Sequence, residues 1–176
     1  MMKQSLPFLC LAALMALPGA QPAVSAPAMT TSLPARTYAS VGLVAIICRI
    51  DRGARLTPEQ LCEAGAAAFR AQLSPANRER VQPMAANDAR LLEPGTLAFA
   101  LRASPVEGAS LSPAYGADLL MLSMKPFRAG VATDELFPAA PQLLVLPADG
   151  APSLEAPLTA LLGGVARVLE SARAFR

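Results

Sequence analysis

The longest apolar run after the first 26 residues is VGLVAIICRI, from Val41 to Ile50, and it contains a single charged residue. Its large side chains are mostly β-branched and do not alternate with polar ones. This pattern is typical of a strand that is covered on both faces. A buried helix segment can give a similar pattern, but the short length and the polar turn Asp51-Arg52-Gly53 that follows favour a strand.

The chain after this turn carries the markers of a helix. Thr57 is a suitable N-cap, Pro58 suits the first helical position, and Gln60 completes a capping box. Apolar residues then recur at helical spacing as far as Leu73. Ser74 precedes a proline, and the residue before a proline avoids helical geometry, so the helix is predicted to end there.

The remainder of the chain predicts further strands, one helical turn and a closing helix. In chain order these segments are Arg78–Met84 (a short edge strand, because it contains Pro83), Asn87–Leu92 (the helical turn), Thr96–Ala103, Asp118–Arg128, Gln142–Leu146 and the helix Ala156–Phe175. The predicted fold class is α/β, as an α+β two-layer sandwich. A mixed sheet of about four or five strands would carry two main helices packed on one face.

The closing helix presents an apolar stripe that includes Leu161, Val165 and Val168. Apolar surface beyond what a core needs marks a partner site, so these three residues are predicted to form the interaction surface of this helix. The pair Gly163-Gly164 interrupts the helix pattern. We interpret this pair as a close approach of the helix to the sheet, and a hinge or a partner contact is the alternative.

The N-terminal segment reads as an export signal. Lys3 supplies a positive start, and Leu6–Leu17 is an apolar core too short to span a bilayer. The predicted organisation is a signal peptide at residues 1–26, a flexible leader at 27–38 and a single α/β domain at 39–176, with cleavage near residues 26–28. An uncleaved anchor is the alternative. The mature chain is not predicted to span a membrane.

The amino-acid composition and net charge indicate where the protein is located and which classes of partner it binds. The formal net charge of +2 gives no electrostatic case for binding nucleic acid or an anionic membrane surface. Alanine and proline are abundant, which fits a GC-rich bacterial genome, and the chain has no N-x-S/T sequon. The predicted location is therefore the periplasm or the secreted fraction, with an envelope protein as the partner.

Two cysteines remain after the predicted signal peptide, Cys48 and Cys62. In an exported chain they are predicted to form one disulfide, which closes a loop of about 15 residues and contributes about 3 kcal/mol. A redox-active pair is the alternative. Such pairs usually have C-x-x-C spacing at a helix start, whereas here the second cysteine falls inside the predicted helix.

The chain contains no histidine and no tryptophan. Ser-His-Asp and Cys-His catalysis in their usual forms are therefore excluded, as are zinc sites that require histidine. The sequence has neither a phosphate-binding G-x-x-x-x-G-K-[ST] motif nor a dinucleotide-binding G-x-G-x-x-G motif. We predict no catalytic residues, no metal and no cofactor.

Two groups of residues suggest functions other than a protein-interaction domain. Arg49, Arg52 and Arg55 cluster after the first strand and form a possible anion-binding site, which would suit a small-ligand carrier with an arginine-lined pocket. Ser123 and Lys125 lie two residues apart on one predicted strand face, as an atypical hydrolase would need. Salt bridging and a solvated strand face explain the same residues, so a non-enzymatic envelope accessory domain is the preferred hypothesis.

Overall fold

The computed structural model describes residues 40–51, 55–106, 118–131, 139–147, 153–172 and 174–175. The predicted signal peptide at 1–26 and leader at 27–38 lie outside the described residues. Arg52 of the predicted arginine cluster lies outside them as well.

A five-stranded mixed sheet organises the chain, in the order β2-β1-β3-β4-β5. The strands are β1 (Leu43–Ile50), β2 (Val81–Pro83), β3 (Thr96–Pro105), β4 (Asp118–Phe127) and β5 (Gln142–Leu146). β1 runs parallel to both β2 and β3, while β3–β4 and β4–β5 are antiparallel. β2 and β5 are therefore the two edges, and the edge position predicted for the proline-containing strand is found.

Three helices and one 3-10 turn complete the described elements: α1 (Pro58–Arg70), α2 (Pro75–Arg78), the 3-10 turn Ala89–Leu92, and α3 (Glu155–Ser171). The predicted capping box is present at the start of α1. The Gln60 N–H donates to Thr57 Oγ1 over 3.2 Å, and the Thr57 N–H donates to Gln60 Oε1 over 3.0 Å. These bonds satisfy two of the amide donors that a helix start leaves without partners.

The main core lies between one sheet face and the two long helices, α1 and α3. The rings of Phe69 on α1 and Phe99 on β3 pack with centroids 5.6 Å apart. Leu158, Leu162 and Leu169 bring α3 into the same core. This arrangement is the predicted two-layer sandwich with both main helices on one face.

The opposite face of β1 is covered by a smaller apolar cluster. Met84 and Leu91, from the segment between β2 and β3, pack on Ala45 and Ala98. β1 is therefore covered on both faces, as its continuous apolar pattern predicts. That segment covers only the β1–β3 part of this face.

The predicted interaction surface on the closing helix belongs to the core. Leu161 and Val165 are buried, and Val168 is partly buried and packs against the core. The apolar stripe of α3 faces the sheet and α1, so these residues are not an exposed docking surface in the folded chain. An amphipathic pattern reveals that one helix face is buried, but not what buries it.

Of the helix glycines, Gly65 lies in close contact with the sheet, and Gly163 and Gly164 do not. A Cβ placed on Gly65 would lie 2.7 Å from Leu101 Cδ1 and 3.3 Å from Ile46 Cγ2. At Gly163 a Cβ would make only ordinary contacts, and at Gly164 it would meet nothing within 4 Å. The interpretation of the glycine pair as a close approach to the sheet is therefore wrong.

These glycines generate a paired prediction. Gly164→Ala should raise the free energy of unfolding by about 0.5–1 kcal/mol, because alanine lowers the cost of ordering a helix interior. Gly65→Val should lower it by about 1–3 kcal/mol, because the added side chain overpacks the contact with β3. Urea unfolding followed by circular dichroism measures both. Equal effects of the two substitutions would contradict the assigned packing.

Candidate functional site

The sheet face that points away from α1 and α3 is called the outer face here, and its β4–β5 part is the candidate site. On β4, Leu120, Leu122 and Met124 are buried on the core side. Because side chains alternate along a strand, the residues between them, Met121 and Ser123, point to the outer face. The cluster around Met84 does not extend over these strands.

An apolar patch occupies the end of this face. Its residues are Leu119 and Met121 on β4, and Leu143 and Val145 on β5, here called the outer apolar patch. The register places Leu119 opposite Val145 and Met121 opposite Leu143, so the four side chains are cross-strand neighbours. Leu143 is 64% exposed, Val145 51% and Met121 42%. Contiguous apolar surface of this kind marks interaction sites in soluble proteins.

A polar cluster centred on Asp51 adjoins the patch. The Asp51 Oδ2 atom accepts hydrogen bonds from Arg102 Nη2 at 2.7 Å, Arg102 Nε at 3.0 Å and Ser104 Oγ at 2.7 Å. Ser104 lies opposite Met121 in the β3–β4 register, which sets the cluster beside the patch. The hydrogen bonds from Arg102 and then Ser104 lower the pKa of Asp51. The carboxylate therefore stays ionised and ties the end of β1 to β3.

This arrangement changes the interpretation of the predicted anion site. Arg49 and Arg102 are neighbours in the parallel β1–β3 register, and Asp51 lies 3.8 Å from Arg49 Nε. The carboxylate of the chain itself thus occupies the position between these two cations. The Arg49 side chain is 80% exposed, and Arg55 Nη2 donates to the Leu146 carbonyl over 3.3 Å.

Sequence reasoning missed Arg102 as the principal partner of Asp51. The two residues are separated by 51 positions and meet only through the parallel pairing of β1 and β3. Local spacing drew attention to the arginines nearest in sequence. The strand register, a property of the folded chain, selects Arg102.

The geometry gives no support to a Ser-Lys hydrolase. Ser123 lies opposite Arg102, and Lys125 lies opposite Ala100 on the same sheet face. Lys125 is exposed. A serine hydrolase that uses lysine as its base needs the amine removed from water beside the hydroxyl, which an exposed strand position does not provide.

Cys48 and Cys62 form a disulfide that links β1 to α1, with their Cα atoms 5.5 Å apart. The disulfide borders a groove of about 370 Å³, whose other lining residues are Pro58, Glu59, Glu63, Pro83, Met84, Ala85 and Ala86. The charged residues of this groove are glutamates, and neither Arg49 nor Arg55 lines it. The groove therefore does not match the arginine-lined pocket of the carrier hypothesis.

Within the residues that the structure describes, no group of three acidic or cysteine side chains is placed to hold a metal ion. None of the helices in that part of the chain has the length and apolar character needed to cross a bilayer.

The disulfide gives a stability prediction. The double variant Cys48→Ala/Cys62→Ala should lose about 3 kcal/mol of unfolding free energy, because a loop of about 15 residues is no longer closed in the unfolded chain. Urea unfolding measures the loss. A reducing agent should lower the unfolding free energy of the natural protein and leave that of the double variant unchanged. Insensitivity of the natural protein to complete reduction would contradict the prediction.

The Asp51 cluster gives a pH prediction. Asp51→Asn should lower stability at pH 7, because the ionised carboxylate is favoured in the folded chain. Since the folded-state pKa lies below the ordinary value of about 3.9, this contribution is complete above about pH 4 and is lost as the pH falls through the folded-state pKa. Thermal unfolding of both proteins at several pH values measures the difference.

Asp88→Asn is a second, independent test of the same linkage. Hydrogen bonds from Arg90 lower the pKa of Asp88 to about 2, so its contribution to stability should be complete above about pH 4 and be lost as the pH falls toward 2. A difference between Asp51→Asn and the natural protein that does not shrink in acid would mean that ionisation of Asp51 is not its source.

Comparisons with known proteins identify no family. No family model matches the chain, and no curated protein matches it. Among solved structures, a PelC dodecamer from Paraburkholderia phytofirmans is similar, with a TM-score of 0.42 and 13% sequence identity. The match covers 80% of this chain and 93% of that one.

Proposed function

We propose that this chain is a non-enzymatic domain of the bacterial envelope that works by binding another protein through the outer apolar patch. The single observation that carries the proposal is the exposure of Met121, Leu143 and Val145 together on a part of the sheet that none of the described helices covers. Burying such a patch against a partner removes apolar area from water, which is the main driving force of protein association.

The composition of the patch supports a protein partner. Residues 139–147 and 119–121 contain no charged side chain. The centre of a protein interface is typically depleted in charge and ringed by polar groups. Here Arg102, Ser104 and Asp51 supply a polar border on one side. Because the Asp51 carboxylate is already paired within the chain, this border is pre-ordered.

Two observations support the proposed location in the envelope. The first 26 residues have the pattern of an export signal. The disulfide between Cys48 and Cys62 is the kind of bond that persists in oxidising compartments such as the periplasm. The carrier and hydrolase alternatives gain no comparable support, since the charged residues of the groove beside the disulfide are glutamates and the Lys125 side chain is exposed.

Capture experiments test this proposal. The immobilised protein should retain a partner from envelope extracts, and Met121→Lys should reduce that retention at least about ten-fold, because it introduces a charge into an apolar interface. Cytosolic extract should yield no specific partner. Quantitative mass spectrometry of the retained proteins is the measurement.

Leu92→Lys is the matched control, because Leu92 is 70% exposed on the 3-10 turn and lies outside the patch. It should retain the partner as the natural protein does. Circular dichroism of both variants verifies folding. Equal retention by Met121→Lys and Leu92→Lys would refute the patch as the binding surface.

A further inference from the structure

We propose that the free edge of β5 pairs with the same edge of a second copy of this chain, in one defined antiparallel register. This inference rests on the proposed function, because it names a partner for the β5 side of the outer apolar patch. The sheets of two copies would then join across a two-fold axis.

The sheet order leaves one side of β5 open to such pairing. β5 is the last strand in the order, and among the strands that the structure describes only β4 pairs with it. An unpaired strand edge presents backbone N–H and C=O groups that can accept another strand. Edge strands are normally protected by charged side chains, and the segment 139–147 has none.

The ladder geometry identifies which peptide groups point outward. The Leu119 carbonyl accepts a hydrogen bond from the Val106 N–H over 3.0 Å, so the peptide groups of Leu119 face β3. Because these groups alternate along an antiparallel strand, those of Leu120 face β5 and bond to its register partner Leu144.

The peptide groups of Leu143 and Val145 therefore point away from β4, toward the free edge. Pro141 and Pro147 bracket this edge at the next outward positions. Proline has no N–H, so β5 offers outward donors at Leu143 and Val145 alone. The prolines thereby limit the length over which another strand can pair.

These two donors define a self-complementary register. In an antiparallel pair centred on Leu144, Leu143 of one copy lies opposite Val145 of the second copy, and the symmetric pair forms at the same time. Each of these pairs exchanges both N–H···O bonds. This register aligns all of Gln142–Leu146 with its counterpart, as an isologous interface requires.

The side chains of β5 favour a second copy of this chain as the partner of its free edge. Leu143 and Val145 are the most exposed members of the outer apolar patch, and the register brings them together across the axis. Apolar and β-branched cross-strand neighbours stabilise antiparallel pairs, whereas like charges opposite each other destabilise them. With no charge on the segment, the pairing of identical strands brings no repulsion.

The first measurement is sedimentation velocity of the purified, oxidised protein from about 1 to about 200 µM. A strand of this length buries less than a standard interface, so a monomer–dimer equilibrium with a Kd of about 1–100 µM is expected. A protein that stays monomeric throughout this range overturns the inference. The capture experiment with Met121→Lys would remain valid in that case, so the two failures are distinguishable.

Two double variants test the register. L143K/V145K places like charges opposite each other in the proposed pairing, whereas L143E/V145K places opposite charges there. Both remove the same two exposed apolar side chains. L143E/V145K is expected to dimerise at least about ten-fold more tightly than L143K/V145K. Equally weakened dimerisation of both variants would indicate that the outer faces stack on each other. Unchanged dimerisation of both would indicate that another surface forms the dimer. Either result overturns the edge register.

Amide hydrogen exchange tests the same pairing without any substitution. The Leu143 and Val145 amides should exchange more slowly at high protein concentration than at low concentration. The Leu144 amide, which bonds to β4, should be protected at both concentrations and serves as the internal control. Exchange at Leu143 and Val145 that is independent of concentration while dimer forms would overturn the inference.

Discussion

The burial of β1 on both faces is the constraint on which the other elements depend. Val44 and Ile46 pack on the helix side, and Ala45 is buried on the outer side. Covering the first side requires α1, and covering the second requires the segment that carries Met84 and Leu91. β1 also pairs with β3 along its whole length and with β2 at Val44–Ile46, so these three residues have strand partners on both sides. The outer cover extends over β1 and β3 but not over β4 and β5. The outer apolar patch on β4 and β5 is therefore exposed because the segment that buries β1 on this face does not reach these two strands.

The elements that the sequence predicts well are those determined by nearby residues. The capping box of Thr57 and Gln60 locates the start of α1, and the proline in β2 assigns it to an edge. The features that it predicts poorly depend on strand order and register. LLVL in β5 is a continuous apolar run, yet Leu143 and Val145 are exposed, because none of the described elements covers the second face of that strand. The apolar stripe of α3 in turn predicts a partner site, whereas in the structure its residues belong to the core.

The candidate site shows the same division between local and non-local information. Spacing in the sequence indicates the arginines close to Asp51, but the shortest hydrogen bond that an arginine donates to it comes from Arg102, which reaches it only through the β1–β3 register. Two adjacent guanidinium groups, on Arg49 and Arg102, would repel each other without that carboxylate. The cluster therefore holds two strands together and borders the patch, and the Asp51 carboxylate offsets part of its positive charge.

The disulfide between Cys48 and Cys62 makes the stability of this fold depend on the compartment. Where thiols are kept reduced, α1 is held against β1 by packing alone, and the chain lacks the contribution of the closed loop. A chain in that state unfolds more readily. Formation of the disulfide stabilises the β1–α1 unit, and with it the sheet that displays the outer apolar patch, so the redox state of the surroundings sets how stably the patch is presented.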